Sequence, residues 1–287
     1  MFELVDTSVP VEQIGTGYVF TEGPVWDRRN NRLLFVDFRG DTVYEWKRGG
    51  GAPAPFRRPS FGNNGNTFDQ EGRLIGCLAE PGHISRTEAD GSLTVLASEY
   101  EGKQLNAPND LVVGPDGSIY FTDTPYLPSG RMDAPRGVPC YGVYRIAPDG
   151  TLSLLIDNLD PPNGIAVSND GRQLFVDATG HHAVHVWDLA PDGTVSNGRQ
   201  FADTRDGEIV GRPDGMKIDV LGNVYVTANT ENGIWVYSPD GTHLGFVETP
   251  EPPENCAWGE DDWQTLFVTA KTSVYAIRMK VAGQPVG

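Results

Sequence analysis

Asn163-Gly164-Ile165-Ala166-Val167-Ser168-Asn169-Asp170-Gly171-Arg172-Gln173-Leu174-Phe175-Val176-Asp177 holds one complete unit of this chain: a polar residue followed by glycine, a short apolar strand, a tight turn and a second apolar strand. The unit recurs. Other copies begin Glu22-Gly23 before Val25-Trp26, Asn64-Gly65 before Phe68, Asn109-Asp110 before Leu111–Val113, Asp214-Gly215 before Met216–Ile218, and Glu254-Asn255 before Ala257-Trp258. Their apolar cores, from Trp26 through Phe68, Val113, Val167 and Ile218 to Trp258, follow at steps of roughly 40 to 54 residues, the period of a four-stranded propeller blade. Six copies predict an all-β, six-bladed β-propeller. If the blades ring a channel, the residue at the start of each innermost strand lies near the axis, so Glu22, Asn64, Asn109, Asn163 and Asp214 are expected to converge.

Apolar residues elsewhere cluster in short runs bounded by Gly, Pro, Asn and Asp rather than at helical spacing. Asp90-Gly91, Asp116-Gly117, Asp149-Gly150, Asp192-Gly193 and Asp240-Gly241 read as hairpin turns, where the Asp-Gly pair accepts positive φ. The longest break in pattern, Pro125 to Pro139, reads as a rim loop over the channel mouth. No composition shift divides the 287 residues, so residues 1–287 are expected to form a single domain.

A net charge of −17, without clustered Lys or Arg, argues against nucleic acid or an anionic membrane as partner. Three scattered cysteines, Cys77, Cys140 and Cys256, offer no disulfide framework and fit a reducing compartment. The start of the chain carries no basic segment followed by an apolar run, so a soluble, cytoplasmic protein is expected.

Carboxylates and amide oxygens converging on one axis form a hard-oxygen set, suited to Ca²⁺, Mg²⁺ or Mn²⁺ and less to Zn²⁺. The repulsion between Glu22 and Asp214 in a narrow channel calls for a cation or a proton. Asn-Gly and Asp-Gly pairs also make turns, but turn-making alone does not require a glutamate at position 22.

The segments Thr21-Glu22-Gly23-Pro24-Val25-Trp26, Ala107-Pro108-Asn109-Asp110, Ile119-Tyr120-Phe121-Thr122-Asp123, Pro162-Asn163-Gly164-Ile165-Ala166 and Pro213-Asp214-Gly215-Met216 resemble the senescence-marker-protein and gluconolactonase family. The resemblance runs from about Glu12 to Ile277. It implies a six-bladed propeller with one catalytic divalent metal ion in its channel, calcium first among the candidates, and hydrolysis of sugar lactones. By motif it implies Glu22, Asn163 and Asp214 as metal ligands, with Asn109 a fourth ligand or a substrate contact. Bacterial gluconolactonases often carry a Glu-His pair and a basic pair where this chain reads Cys77-Leu78-Ala79-Glu80-Pro81-Gly82-His83, a segment expected to help line the pocket.

Lactone hydrolysis needs a polarised carbonyl, an activated water and a stabilised oxyanion. Asp214 is the expected general base, with Glu22 a ligand only. Asn64, Asn109, His181 and, in the rim loop, Arg131 are the expected substrate contacts; Arg136 and Tyr126 are further donors in that loop, and His182 neighbours His181. Asp123 and Asp177 are read as structural hydrogen-bonders or a second metal site. No Gly-x-Ser-x-Gly elbow or phosphate loop is present. The same metal site could serve phosphotriester, lyase or dehydratase chemistry, and a non-catalytic binding propeller is the alternative of another class.

Overall fold

The computed structural model describes residues 4–129, 137–159, 161–206 and 209–286. It shows six four-stranded antiparallel sheets. Blade 1 comprises Thr21–Asp27, Arg32–Asp37, Thr42–Trp46 and Ala54–Arg57, from the inside outward. The inner two strands of the next blades are Asn63–Phe68 and Leu74–Leu78 in blade 2, Ala107–Val113 and Ile119–Thr124 in blade 3, and Pro162–Val167 and Gln173–Ala178 in blade 4. Blade 5 begins with Pro213–Ile218 and Val224–Ala228. Blade 6 begins with Pro253–Gly259, Thr265–Ala270 and Ser273–Arg278, and its outer strand is Glu12–Thr16 from the other end of the chain. That last pairing closes the ring. Each inner strand packs against the inner strand of the following blade, and the sixth against the first. No helix among the described residues is long and apolar enough to cross a membrane.

Burial falls from the axis outward: every residue of Thr21–Asp27 and Pro253–Gly259 is buried, whereas most of Val195–Asp203, an outer strand, is exposed. The second strands supply the aromatic wedges between blades. Phe35, Phe121, Phe175, Tyr225 and Phe267 are all buried, and Phe267 stacks on Trp26 of blade 1 with centroids 5.3 Å apart. Each such side chain contributes about 1.5–3 kcal/mol by leaving water, so the blade interfaces are where the ring is held.

The glycines fall into two physical classes. In the hairpins, Gly117 has φ +84° and its N–H reaches Gly114 O, while the Asp116 carboxylate accepts from Ser118 N. Only the glycine of each Asp-Gly pair takes positive φ, not the aspartate as well; the Asp side chain closes the turn instead. The glycines after the polar residues are not in turns. They lie inside inner strands, and a Cβ on Gly164 would stand 2.0 Å from Asp214 O, one on Gly23 1.8 Å from Asn64 O, and one on Gly65 2.6 Å from Asn109 O. The recurring polar-Gly pair thus marks where one blade's inner strand presses against the backbone carbonyl of the next blade's polar residue.

Candidate active site

Every inner strand carries a register shift at its channel end: between Glu22 and Val25, Asn63 and Asn66, Pro108 and Leu111, Pro162 and Ile165, Pro213 and Met216, and Pro253 and Asn255. A bulge re-aims the side chain beside it, and here six bulges surround one cavity of about 400 Å³. Glu22, Asn64, Asn109, Asn163 and Asp214 all line it. Their registers are not identical. Asn163 and Asp214 follow by one residue the positions Pro162 and Pro213, which pair with the ends of their second strands, whereas Asn109 follows the corresponding Ala107 by two.

A third carboxylate joins the cavity. Glu254 follows Pro253 in the register of Asn163 and Asp214, is wholly buried, and offers an oxygen that lies with oxygens of Glu22 and Asp214 within 4.8 Å of one another. Glu254-Asn255 is one of the six repeats in the sequence, but Glu254 is not in the expected converging set. The shared proline, in Pro162-Asn163, Pro213-Asp214 and Pro253-Glu254, was the signal available.

Backbone and side-chain locks hold these groups. Thr122 Oγ1 of blade 3 donates to Asn163 O at 2.7 Å, and Thr227 Oγ1 of blade 5 donates to Glu254 O at 2.8 Å. Asn163 Nδ2 donates to Thr179 Oγ1, which donates to Pro213 O. The Asn163 amide is thereby oriented, and its buried Oδ1 has no hydrogen-bond partner. Asn229 Nδ2 donates to Asp214 Oδ2 at 2.7 Å, and Lys271 Nζ pairs with the Glu254 carboxylate.

Burial first, then the Glu254 charge, pushes Glu22 up to about 8, against the opposing N–H of Gly23. Burial and then the charges of Glu22, Glu254 and Asp177 raise Asp214 well above the carboxylate range. Glu254 is raised as well, its burial outweighing Lys271. Three carboxylates in one dry cavity cannot all ionise without a cation. The donor set fits a hard divalent ion: oxygens at 2.3–2.6 Å from calcium stand up to about 5 Å apart across the ion, and the partnerless Asn163 Oδ1 supplies a neutral donor. Cys77 and Cys256 are buried outside the cavity lining.

Other expected residues lie elsewhere. His181 is exposed in the short turn Thr179–His181 and is not among the side chains lining the cavity; His182 Nδ1 meets Gly211 O. Cys77 to His83 adds nothing to the lining among the described residues; Cys77 packs in a core cluster and His83 Nδ1 meets Ser85 Oγ. Tyr126 and Leu127, from the first part of the rim loop, do line the cavity, while Arg131 and Arg136 lie outside the described residues. Asp123 and Asp177 sit in second strands and serve the backbone: Asp123 accepts from Asn106 N at 2.8 Å, and Asp177 from Gly164 N at 3.0 Å. The three basic residues among the described cavity lining, Arg39, Arg212 and Lys271, had no sequence signal. A second cavity, about 330 Å³, is lined by the apolar parts of the same inner strands (Val25, Leu111, Ile165, Ile218) and by Gln284–Val286, with no carboxylate among the described residues of its lining.

A closed ring of six blades with acids and amides gathered at one end of its channel is the arrangement of a propeller enzyme. The chain belongs to the SMP-30/gluconolactonase/LRE-like family, whose model matches residues 20–272. It is 33% identical to the gluconolactonase of Zymomonas mobilis, over 98% of this chain and 84% of that protein. It is 27% identical to pentonolactonase XacC of Haloferax volcanii, over 86% and 80% of the two chains. Among solved structures, the gluconolactonase XC5397 of Xanthomonas campestris superposes with a TM-score of 0.86 at 32% identity, covering 94% of this chain and 89% of that one.

Proposed function

We propose that this protein is a divalent-metal-dependent hydrolase of sugar lactones. The observation that carries the reading is the meeting of three buried carboxylates with the partnerless Asn163 Oδ1 in one cavity; a scaffold has no use for buried acids without a counter-ion. Two relatives named as lactonases of sugar acids support the substrate class.

Glu22, Asn163 and Asp214 would hold the ion, and Asn109, one residue deeper, would be a fourth ligand or a substrate contact. When bound, the ion supplies Lewis-acid polarisation of the ester carbonyl and charge for the developing oxyanion. Asp214 acts as general base, its carboxylate held by Asn229 so that one oxygen takes a proton from water. The water oxygen bonds to the acyl carbon, the bond from acyl carbon to ring oxygen breaks, and the proton passes to the ring oxygen, which becomes a hydroxyl. The product acid ionises and releases one proton. Asn64 and Asn109, amides on the far side of the cavity from Glu254, bind hydroxyls of the sugar.

The test is a panel of five- and six-membered aldonolactones, followed by proton release, on chelator-stripped protein reloaded with Ca²⁺, Mg²⁺, Mn²⁺ or Zn²⁺. Hydrolysis should vanish on stripping and return on reloading, with Ca²⁺ foremost. Failure to hydrolyse any lactone with any ion would overturn the reading.

A further inference from the structure

The cavity is divided by charge. Its carboxylates come from blades 1, 5 and 6, which are consecutive around the ring, and its asparagines 64, 109 and 163 from blades 2, 3 and 4. Each acid-bearing blade also contributes one cation to the lining. Blade 1 contributes Glu22 and Arg39, the latter just beyond its second strand; blade 6 contributes Glu254 and Lys271, the latter just beyond its second strand; blade 5 contributes Asp214 and Arg212, the latter just before its inner strand. Among the described residues, blades 2 to 4 give the lining no basic residue.

Lys271 is engaged by Glu254. Neither Arg39 nor Arg212 makes a salt bridge among the described residues, although the Arg39 charge acts on Glu254 to favour its ionised form. Arg39 is nonetheless positioned: its guanidinium lies over the Phe20 ring at 4.6 Å, and Lys271 Nζ lies over that ring at 5.4 Å. Stacking on an aromatic face leaves the edge of the guanidinium fork free for hydrogen bonds. Among the described lining residues three acids face three bases, so the formal charges cancel once the acids are ionised. A divalent ion among the acids then leaves two positive charges in surplus, on a protein whose net charge is −17. A neutral sugar lactone has no group to meet that surplus. A carboxylate or phosphate does, and the fork of an arginine matches either in bidentate fashion.

We propose that the site takes a sugar lactone bearing an anionic substituent away from the ring ester, received by Arg39 and Arg212 while Asn64 and Asn109 bind its hydroxyls. The inference rests on the lactonase reading above and narrows it. The two sources of the anion are a terminal carboxylate, as in the monolactone of an aldaric acid, and a phosphate ester on the terminal hydroxyl.

The experiment compares kcat/KM of Ca²⁺-loaded protein for three lactones of one sugar skeleton: neutral, carboxylated and phosphorylated. One anionic lactone should exceed the neutral one by tenfold or more, and the better of the two identifies the substituent. In Arg39→Met and Arg212→Met, the ratio of anionic to neutral kcat/KM should fall at least tenfold, with circular dichroism and Tm as controls on folding. A readout free of turnover is calorimetric binding of the matching open-chain dianion. Its Kd should weaken tenfold in either variant and on removal of Ca²⁺, and should weaken with added salt. Neutral lactone hydrolysed as well as both anionic ones, with ratios unmoved by either substitution, overturns the inference and leaves the lactonase reading standing. Arginine-dependent binding of the dianion with no lactone hydrolysed supports the anion site and overturns the lactonase reading instead.

Discussion

Replacing Gly164 by alanine tests whether the polar-Gly repeat is a packing device or a turn signal. The new Cβ would stand 2.0 Å from Asp214 O and 2.6 Å from Asp177 Oδ2, where real Cβ contacts essentially never fall below 3.0 Å. Relief requires the two inner strands to separate by about 1 Å in a close-packed ring. The obstructing carbonyl belongs to the buried strand Pro213–Ile218 and cannot swing aside as a long side chain could. Overpacking of this kind costs about 3 kcal/mol or somewhat more. With an unfolding entropy of about 2.1 cal/mol/K per residue, a chain of this length loses about 5 °C of Tm for that cost. Gly91→Ala is the matched control, since Gly91 has φ +84° and open space around it; positive φ alone costs about 1 kcal/mol, or about 2 °C. Scanning calorimetry of the metal-free proteins reads both, and a terbium titration reads the metal site. Gly164→Ala should also weaken ion binding, because it displaces the backbone of Asp214. If it costs no more than Gly91→Ala, the glycine is not there for close approach and the account of the repeat is wrong.

Asp214→Asn should keep the ion but lose 10²-fold or more in kcat, of the order general-base catalysis supplies; near-normal kcat at verified metal content would move the base elsewhere. Glu22→Gln should act mainly on affinity, weakening Ca²⁺ binding in calorimetry by more than it lowers kcat at saturating ion. Lys271→Met strands the wholly buried Glu254 carboxylate. Because Lys271 is 38% exposed, solvent screening reduces the full buried-pair cost to about 1–2 kcal/mol, or about 2–3 °C of Tm; an unchanged Tm would show that the pair holds nothing. The pH dependence follows from Glu22, whose ordinary value of 4.5 rises to about 8 in the folded chain. Across that window the metal-free fold holds a proton that the unfolded chain has released, so its stability falls as pH rises from about 4.5 through about 8. Ca²⁺ displaces the proton, so affinity should climb over the same window with measurable proton release in buffers of different ionisation enthalpy. A flat profile would show Glu22 ionised throughout.

Much of this architecture was written locally. Six inner strands each need a residue small enough to let the next blade in and a bulge to turn a side chain to the axis, so polar-Gly pairs recur at blade spacing, and Glu22, Asn64, Asn163 and Asp214 could be found from them. Glu254 escaped although its repeat was counted; its neighbour Asn255 fills the space beside Gly215, so close approach there is met from the other side. The closing strand Glu12–Thr16 had no local mark, since its partner Ser273–Arg278 lies at the opposite end of the chain. His181 illustrates a different limit: its strand ends at the channel mouth, but the turn Thr179–His181 sends the ring to solvent. Adjacency in sequence carries no information on that direction.

The cations were invisible for a related reason, and their arrangement is what gives the cavity a direction. Arg39 follows Glu22 and Lys271 follows Glu254 at the same interval, one strand and one turn away, so no short motif contains both members of either pair. Only when the sheet folds back do the end of the second strand and the start of the first meet at one mouth, as the pairing of Thr21 with Asp37 and of Pro253 with Ala270 requires. Lys271 then meets Glu254 of its own blade, and the Arg39 charge acts on the same Glu254 from the neighbouring blade. Acids that close to one another need the bases to lower the cost of their burial before any ion arrives. In the proposed metal-loaded site an ion neutralises the acids and leaves the charge of these bases to be met by another group. On the proposal above, bases that offset the buried acids of the metal-free cavity become a receptor for an anion in the loaded protein, and among the described residues blades 2 to 4 bring no acid to the lining that would call for such bases.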